Sequence, residues 1–250
     1  MNVVTGQQQA LRGAEFLRQR FHPRFGDRDY LHLSDLRLAL GQFESAESLS
    51  ALDFGSGGAP YRPLFPHARY ACADIEAGPG VDFPIGADGA ITAPADSFDL
   101  VLSTQVLEHV KSPSKYLTEC HRICHRGGRL LVTTHGIWED HPCPEDLWRW
   151  TCDGLARIVT EAGFEVRQVK KVTTTGRALV AMLEQQQGQF SSSRRTRPGL
   201  AWWLLYRWLL NRPAFLHRWA DAHFSNCRIV DAKEPGHGIY LGILIEAGKP

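Results

Sequence analysis

The run Leu52-Asp53-Phe54-Gly55-Ser56-Gly57-Gly58 constrains the fold of this 250-residue chain more than any other. An apolar strand passes an acidic residue and ends in a bend of small residues, so its backbone can approach a nucleoside or dinucleotide without side-chain obstruction. A small-molecule cofactor is therefore the first expectation, and the pattern downstream decides which one.

That pattern is one of alternating elements. Ala10 to Arg20 and Leu31 to Phe43 repeat leucine, phenylalanine and alanine at helical intervals, placing two helices before the first strand. Short apolar runs at Ser50 to Phe54, Tyr70 to Ile75, Val81 to Ile85 and Phe98 to Ser103 suit strands covered on both faces. Ser112-Pro113 opens a helix, serine as cap and proline in the first turn, and Gly127-Gly128 is expected to stop it before a strand at Arg129 to Thr134. Trp150 and Leu155 flank Thr151 as a hydrophobic staple around an N-cap, starting a helix that ends at Gly163. Phe164 to Thr173 and Ile239 to Glu246 complete the strands. The alternation predicts an α/β, Rossmann-like, doubly wound sheet of seven strands, mostly parallel, whose strand ends bring Asp53, Asp74, Asp88 and Ser103 to one crevice.

Composition narrows the partners. Twenty-eight basic residues against 27 acidic leave a net charge of +1, so no nucleic-acid partner is expected. The N-terminus lacks a secretory pattern and the six cysteines are scattered, which predicts a cytoplasmic protein with reduced thiols.

With these motifs in this order, the stretch from Leu49 to Thr173 resembles the class I S-adenosylmethionine-dependent methyltransferases, in particular the type 11 small-molecule group. The resemblance implies that the last strand is antiparallel. It implies that Gly55, Ser56 and Gly57, following Asp53, form the loop under the methionine part of the cofactor, and that Asp74, beside Ile75, takes the ribose hydroxyls. Asp88 and Gly89 match the position near the adenine, and Ser103-Thr104-Gln105 opens the segment after strand four, giving Ser103 and Gln105 to the same cofactor set. Arg126 to Leu130 and Glu161 to Phe164 resemble the turns into strands five and six. S-adenosylmethionine as donor leaves S-adenosylhomocysteine as product. A nicotinamide enzyme is the weaker alternative, because Pro60 replaces the third glycine of the dinucleotide loop and removes a backbone donor.

Methyl transfer asks mainly for positioning, with a base where the acceptor is a hydroxyl. The segment His141 to Thr151 resembles an H-P-x-P-x-D-x-W-R-x-T motif found in a subset of these enzymes, some of them in glycoside assembly. It suggests His141 as general base, with Asp146 and Arg149 orienting the acceptor or holding the loop, and a sugar or lipid-linked saccharide as acceptor. The bland alternative for Asp146 and Arg149 is a structural ion pair, and that for Glu108 and His109 is a favourable place at a helix start.

No metal site is expected. In Cys120-His121-Arg122-Ile123-Cys124-His125 the cysteines complete an apolar stripe, and His135 with His141 and Cys143 offers no better spacing.

Residues 1–48 read as an N-terminal helical segment, 49–184 with 235–250 as the cofactor-binding core, and 185–234 as a helical insertion. The insertion carries a basic polar connector, then Trp202, Trp203 and Trp208 among leucines, interrupted by Arg207 and short of the ~20 apolar residues that span a bilayer. A core or homodimer element, a lid over the acceptor, and a contact with the inner membrane surface through those tryptophans stay open for it. The expected protein is thus a methyltransferase acting on a small molecule, most plausibly a hydroxyl, with a catalytically idle binding module as the alternative.

Overall fold

A computed structural model describes residues 6–86, 89–143, 145–185 and 212–250. Asp88 and the aromatic part of the insertion, with Trp202, Trp203 and Trp208, lie outside the described residues. Eight strands form one sheet: β1 (Ser50–Phe54), β2 (Arg69–Asp74), β3 (Phe83–Pro84), β4 (Phe98–Thr104), β5 (Cys124–His135), β6 (Glu165–Thr174), β7 (Ile229–Asp231) and β8 (Tyr240–Gly248). Their order is β3-β2-β1-β4-β5-β8-β6-β7. The pairs among β1 to β5 are parallel, and β8 runs antiparallel between β5 and β6. The order reverses between β1 and β4, which places the binding crevice at the carboxyl ends of those two strands.

The central strands are largely apolar because both of their faces are covered. Along β1, β4, β5 and β8, Leu52, Phe54, Val101, Leu130, Val132, Ile243 and Ile245 pack on one side with Tyr116, Leu117, Cys120 and Leu155. The alternate residues Ala51, Leu100, Leu102, Leu131 and Leu244 pack on the other with Leu36, Ala39, Leu40 and Tyr61. The first side belongs to α3 (Pro113–Ile123) and α4 (Cys152–Glu161), and the second to α2 (Tyr30–Gly41), which follows α1 (Gly6–Phe21). Cys120 and Cys124 are buried in the first core, as the stripe reading required.

Three local expectations meet a different outcome. α3 stops at Ile123 and Cys124 is already extended, so the glycine pair is not the helix stop. Gly127 instead takes φ +78 within the start of β5, where its amide donates to Lys249. Ser112 occupies the cap position of α3 without a side-chain bond, whereas the Thr151 hydroxyl accepts from Gly154 at 3.1 Å. The sheet gains an eighth strand, because residues 229–231 of the expected insertion return to pair with β6.

That return is fastened by a buried ion network. Arg177, on α5 (Thr175–Gln185), reaches Asp35 of α2 and Asp221 of α6 (Pro213–His223), each at 2.6 Å. Asp35 also accepts from Arg228 and from Thr173 at the end of β6. Removing one member of such a network leaves a desolvated charge incompletely matched. Arg177→Met is expected to lower stability by about 3 kcal/mol in urea unfolding, with an unchanged slope.

Candidate active site

The glycine loop follows from the way β1 ends. Gly55, Gly57 and Gly58 all have positive φ (82°, 52° and 92°), a region that L side chains rarely adopt. A Cβ on Gly55 would meet the methyls of Val106 at 2.6 and 2.7 Å, so the loop lies directly against the chain leaving β4. A Cβ on Gly57 or on Gly89 would meet nothing within 4 Å and would project into open space.

Asp74, at the end of β2, braces this loop. Its carboxylate accepts from the Gly57 amide at 2.8 Å and from the Ile75 amide at 2.7 Å, with the Ser56 hydroxyl at 3.5 Å. Ile75 beside it is 61 % exposed, an apolar face at the mouth of the crevice. Asp53 lies deeper. It is wholly buried, one oxygen accepts from the Tyr70 hydroxyl at 2.8 Å, and the other has no hydrogen-bond partner. Burial pushes its carboxyl up to about 7 against the opposing effect of that bond.

Ser103 is also buried, bonded to the Tyr116 hydroxyl, which in turn donates to the Phe54 carbonyl. It braces the core under β1. Gln105 adopts φ +55 just past β4, and its side-chain oxygen is buried without a partner. Gly55, Ser56, Gly57, Asp74, Ile75 and Gln105 thus gather around the switch point, while Asp53 and Ser103 stand behind them.

On the other side of Val106, three side chains from two separate stretches of the chain converge. Glu108 follows β4, His135 ends β5 and His141 sits in the next loop; one ligand-type atom from each lies within 4.8 Å of the others. Glu108 is fully buried: one oxygen accepts from Thr134 at 2.8 Å, and the other, 3.3 Å from His135 Nε2, makes no hydrogen bond. Burial raises the Glu108 carboxyl and drives the His135 imidazole well below its usual range. His135 stacks on Trp138 with centroids 4.4 Å apart, and the rings of His109 and His141 meet edge to face at 5.0 Å. The His141 Nδ1 hydrogen is donated to the Glu139 carbonyl at 3.0 Å, since a carbonyl can only accept. Nε2 is thereby left as the ring's acceptor.

The loop carrying His141 is cinched from within. Arg149 holds Asp146 with two bonds of 2.6 and 2.7 Å and also donates to the carbonyls of Trp138 and Glu139. Asp146 accepts from the His141 amide at 2.9 Å, and the guanidinium holds its carboxyl below the usual carboxylate range. The Trp148 indole donates to the Val110 carbonyl and the Leu147 amide to that of Glu108. The bonds of Asp146 and Arg149 are therefore made to each other and to the loop backbone. Glu108 and His135 are the residues that the sequence alone underweighted. Their signal was the chemistry of their side chains at consecutive strand ends, which linear spacing does not measure.

A doubly wound sheet with an inserted antiparallel strand, a glycine loop at its switch point and an acidic residue ending β2 define a Rossmann-like fold of the class I methyltransferase type. A family model described as "Methyltransferase domain" matches residues 52–132. Among solved structures, an S-adenosylmethionine-dependent methyltransferase from Mesorhizobium loti superposes with a TM-score of 0.52 at 16% identity, covering 86% of this chain and 97% of the other. The cyclase SpnF superposes with a TM-score of 0.55 at 16% identity, covering 91% and 86%. Ubiquinone biosynthesis O-methyltransferase of Parvibaculum lavamentivorans is 29% identical over 105 residues, 35% of this chain and 41% of its own. Its counterpart in Cereibacter sphaeroides is 34% identical over 59 residues, 24% of each chain. The chain thus spans less than half the length of these curated relatives. Residues 52–132 thus match a methyltransferase domain, set in a fold shared with S-adenosylmethionine-dependent methyltransferases.

The residues present suit that cofactor. The loop backbone is open where an amino-acid tail must lie, Asp74 retains lone pairs for two hydroxyls, and Ile75 offers an exposed apolar surface to a base. Two outcomes follow. Gly57→Ala should cost only about 1 kcal/mol of stability yet weaken S-adenosylmethionine binding at least tenfold by calorimetry, because its methyl enters the crevice. Asp53→Asn should raise stability by on the order of 2 kcal/mol at pH 8 and leave it unchanged near pH 4. The native carboxyl holds its proton up to about 7, so its destabilising effect develops as pH rises from the unfolded value toward that point. Thermal melts at both pH values measure the difference.

Proposed function

We propose that this protein transfers a methyl group from S-adenosylmethionine to a hydroxyl of a small molecule, bound where Glu108, His135 and His141 meet. The observation that carries the reading is Val106. It packs on Gly55 on one side and lies two residues from Glu108 on the other, so the cofactor loop and the cluster are neighbours. The matched methyltransferase-domain family supports the reaction class, and the O-methyltransferase names of the partly aligned relatives support oxygen as the acceptor atom. The resemblance of residues 141–151 to the glycoside-associated motif is the support for a sugar acceptor.

When bound, S-adenosylmethionine supplies a methyl already activated on a sulfonium and leaves as S-adenosylhomocysteine. The chain's own work is then to position the acceptor and accept its proton. His141 Nε2 is free to take that proton because Nδ1 is committed to Glu139. The Asp146–Arg149 clamp and the Trp148 tether hold the ring in place, limiting the motion that misplaces a reacting group.

Calorimetric titration should show one S-adenosylmethionine site per chain; a flat titration would sink the enzyme reading and leave a binding module. With an acceptor found by a methyl mass-shift screen, His141→Ala should lower turnover by about 100-fold without changing cofactor affinity. Unchanged turnover would remove His141 from the reaction.

A further inference from the structure

We propose that Glu108, His135 and His141 form a binding site for one first-row divalent transition cation of the zinc or manganese type. The acceptor hydroxyl would be held on its open face. A carboxylate oxygen of Glu108 is buried with no hydrogen-bond donor, although Thr134 satisfies its partner oxygen. Leaving such an oxygen bare in a desolvated place is expensive, and a structure seldom tolerates it without a counter-charge.

What faces that oxygen is a set of metal ligands. His135 Nε2 lies 3.3 Å away, a normal separation for two atoms sharing an ion at about 2.1 Å each. An atom of His141 falls in the same group, all within 4.8 Å, and His109 Nε2 stands 4.0 Å from Glu108 at its edge. Two imidazoles with one carboxylate are a donor set for zinc-class or manganese-class ions; magnesium and calcium prefer oxygen throughout.

Supporting bonds are present for two of the three ligands. His141 is fixed in the tautomer that exposes Nε2 by its bond to Glu139, and Glu108 is oriented by Thr134. The nearby positive charge of Arg149 is paired with Asp146 and opposes a cation less than its distance alone suggests. His135 and His141 end one strand and begin the loop after it, while Glu108 comes from the neighbouring strand end. The site therefore exists only in the folded protein.

The inference deepens the preceding proposal and rests on it only for the role of the ion, since binding can be tested without catalysis. With the cation seated, His141 Nε2 is a ligand and no longer the base it is in the metal-free site, and the acceptor hydroxyl coordinates at an open position. The hydroxyl's proton passes to water, the oxygen forms its bond to the methyl carbon, and the carbon–sulfur pair returns to the departing thioether.

The test uses the full chain, treated with chelator and then titrated with Co2+ followed by visible absorption and with Zn2+ followed by calorimetry. One equivalent should bind, and Glu108→Gln and His141→Ala should each weaken binding beyond the roughly 10–100-fold that outer-shell changes cost. Cys143→Ser, a change at an exposed thiol outside the cluster, should leave it intact. S-adenosylmethionine affinity, measured on the same samples, reports whether each variant is folded. Should Glu108→Gln lose that affinity, His141→Ala, altered at a partly exposed side chain, decides the matter. No saturable binding, or binding unaffected by His141→Ala, would overturn the site while leaving the methyltransferase reading untouched. Failure to bind S-adenosylmethionine with metal still bound would do the reverse.

Discussion

The contact between Gly55 and Val106 sets the spacing of the whole site. A Cβ at Gly55 would stand 2.6 Å from a Val106 methyl, so only glycine allows the loop after β1 to press against the chain leaving β4. The positive φ of Gly55 adds a second, independent reason for the residue. Because Glu108 lies two residues beyond Val106, the same approach that closes the cofactor loop also fixes how far the acidic cluster stands from it. Donor and acceptor sides are thus coupled through this van der Waals contact.

From that contact the remaining parts follow a hierarchy of rigidity. Strand ends position Asp74 and His135, a 3-10 turn (Leu107–His109) just past β4 positions Glu108, and strands packed on both faces move little. His141 has no such support, because its segment is irregular. The chain compensates with polar fastening: a bidentate arginine, an indole tether and two amides given to the Glu108 carbonyl. Asp146 and Arg149 spend their hydrogen-bonding capacity on this fastening. A loop held so closely can carry a reacting group, which a solvated loop of the same length could not do with precision.

The fold was legible because it depends on period and punctuation. Apolar runs of strand length, the Thr151 cap and the glycine stop at Gly163 all act over a few residues, so their physics is local. Gly127 misled for the same reason: a glycine pair after an apolar helix resembles a stop, but tertiary pairing of Cys124 with Phe98 ended the helix earlier. β7 was hidden because three residues at a sheet edge carry almost no periodic signal. The glycine loop and the acid that ends β2 were legible as motif. The convergence of Glu108 with His135 was not, because it appears only when β4 and β5 lie side by side, and in sequence Glu108 reads as an acid at a helix start and His135 as an ordinary strand-end residue.

The buried polar groups sort into two kinds, and the contrast bears on function. Asp35 and Arg177 are also deeply placed and charged, yet their short ion pairs, with each other and with the partly exposed Arg228 and Asp221, account for them as a fastening between α2, α5, α6 and β6. Glu108 and His135 are equally deep, but each keeps a polar atom without a hydrogen bond. A fastening minimises such atoms, because each one costs stability and contributes no grip. The unmatched Glu108 oxygen faces His135 Nε2 beside the glycine loop, whereas the unmatched atom of His135 is its Nδ1. A buried acceptor of that kind costs stability that the fold alone does not recover.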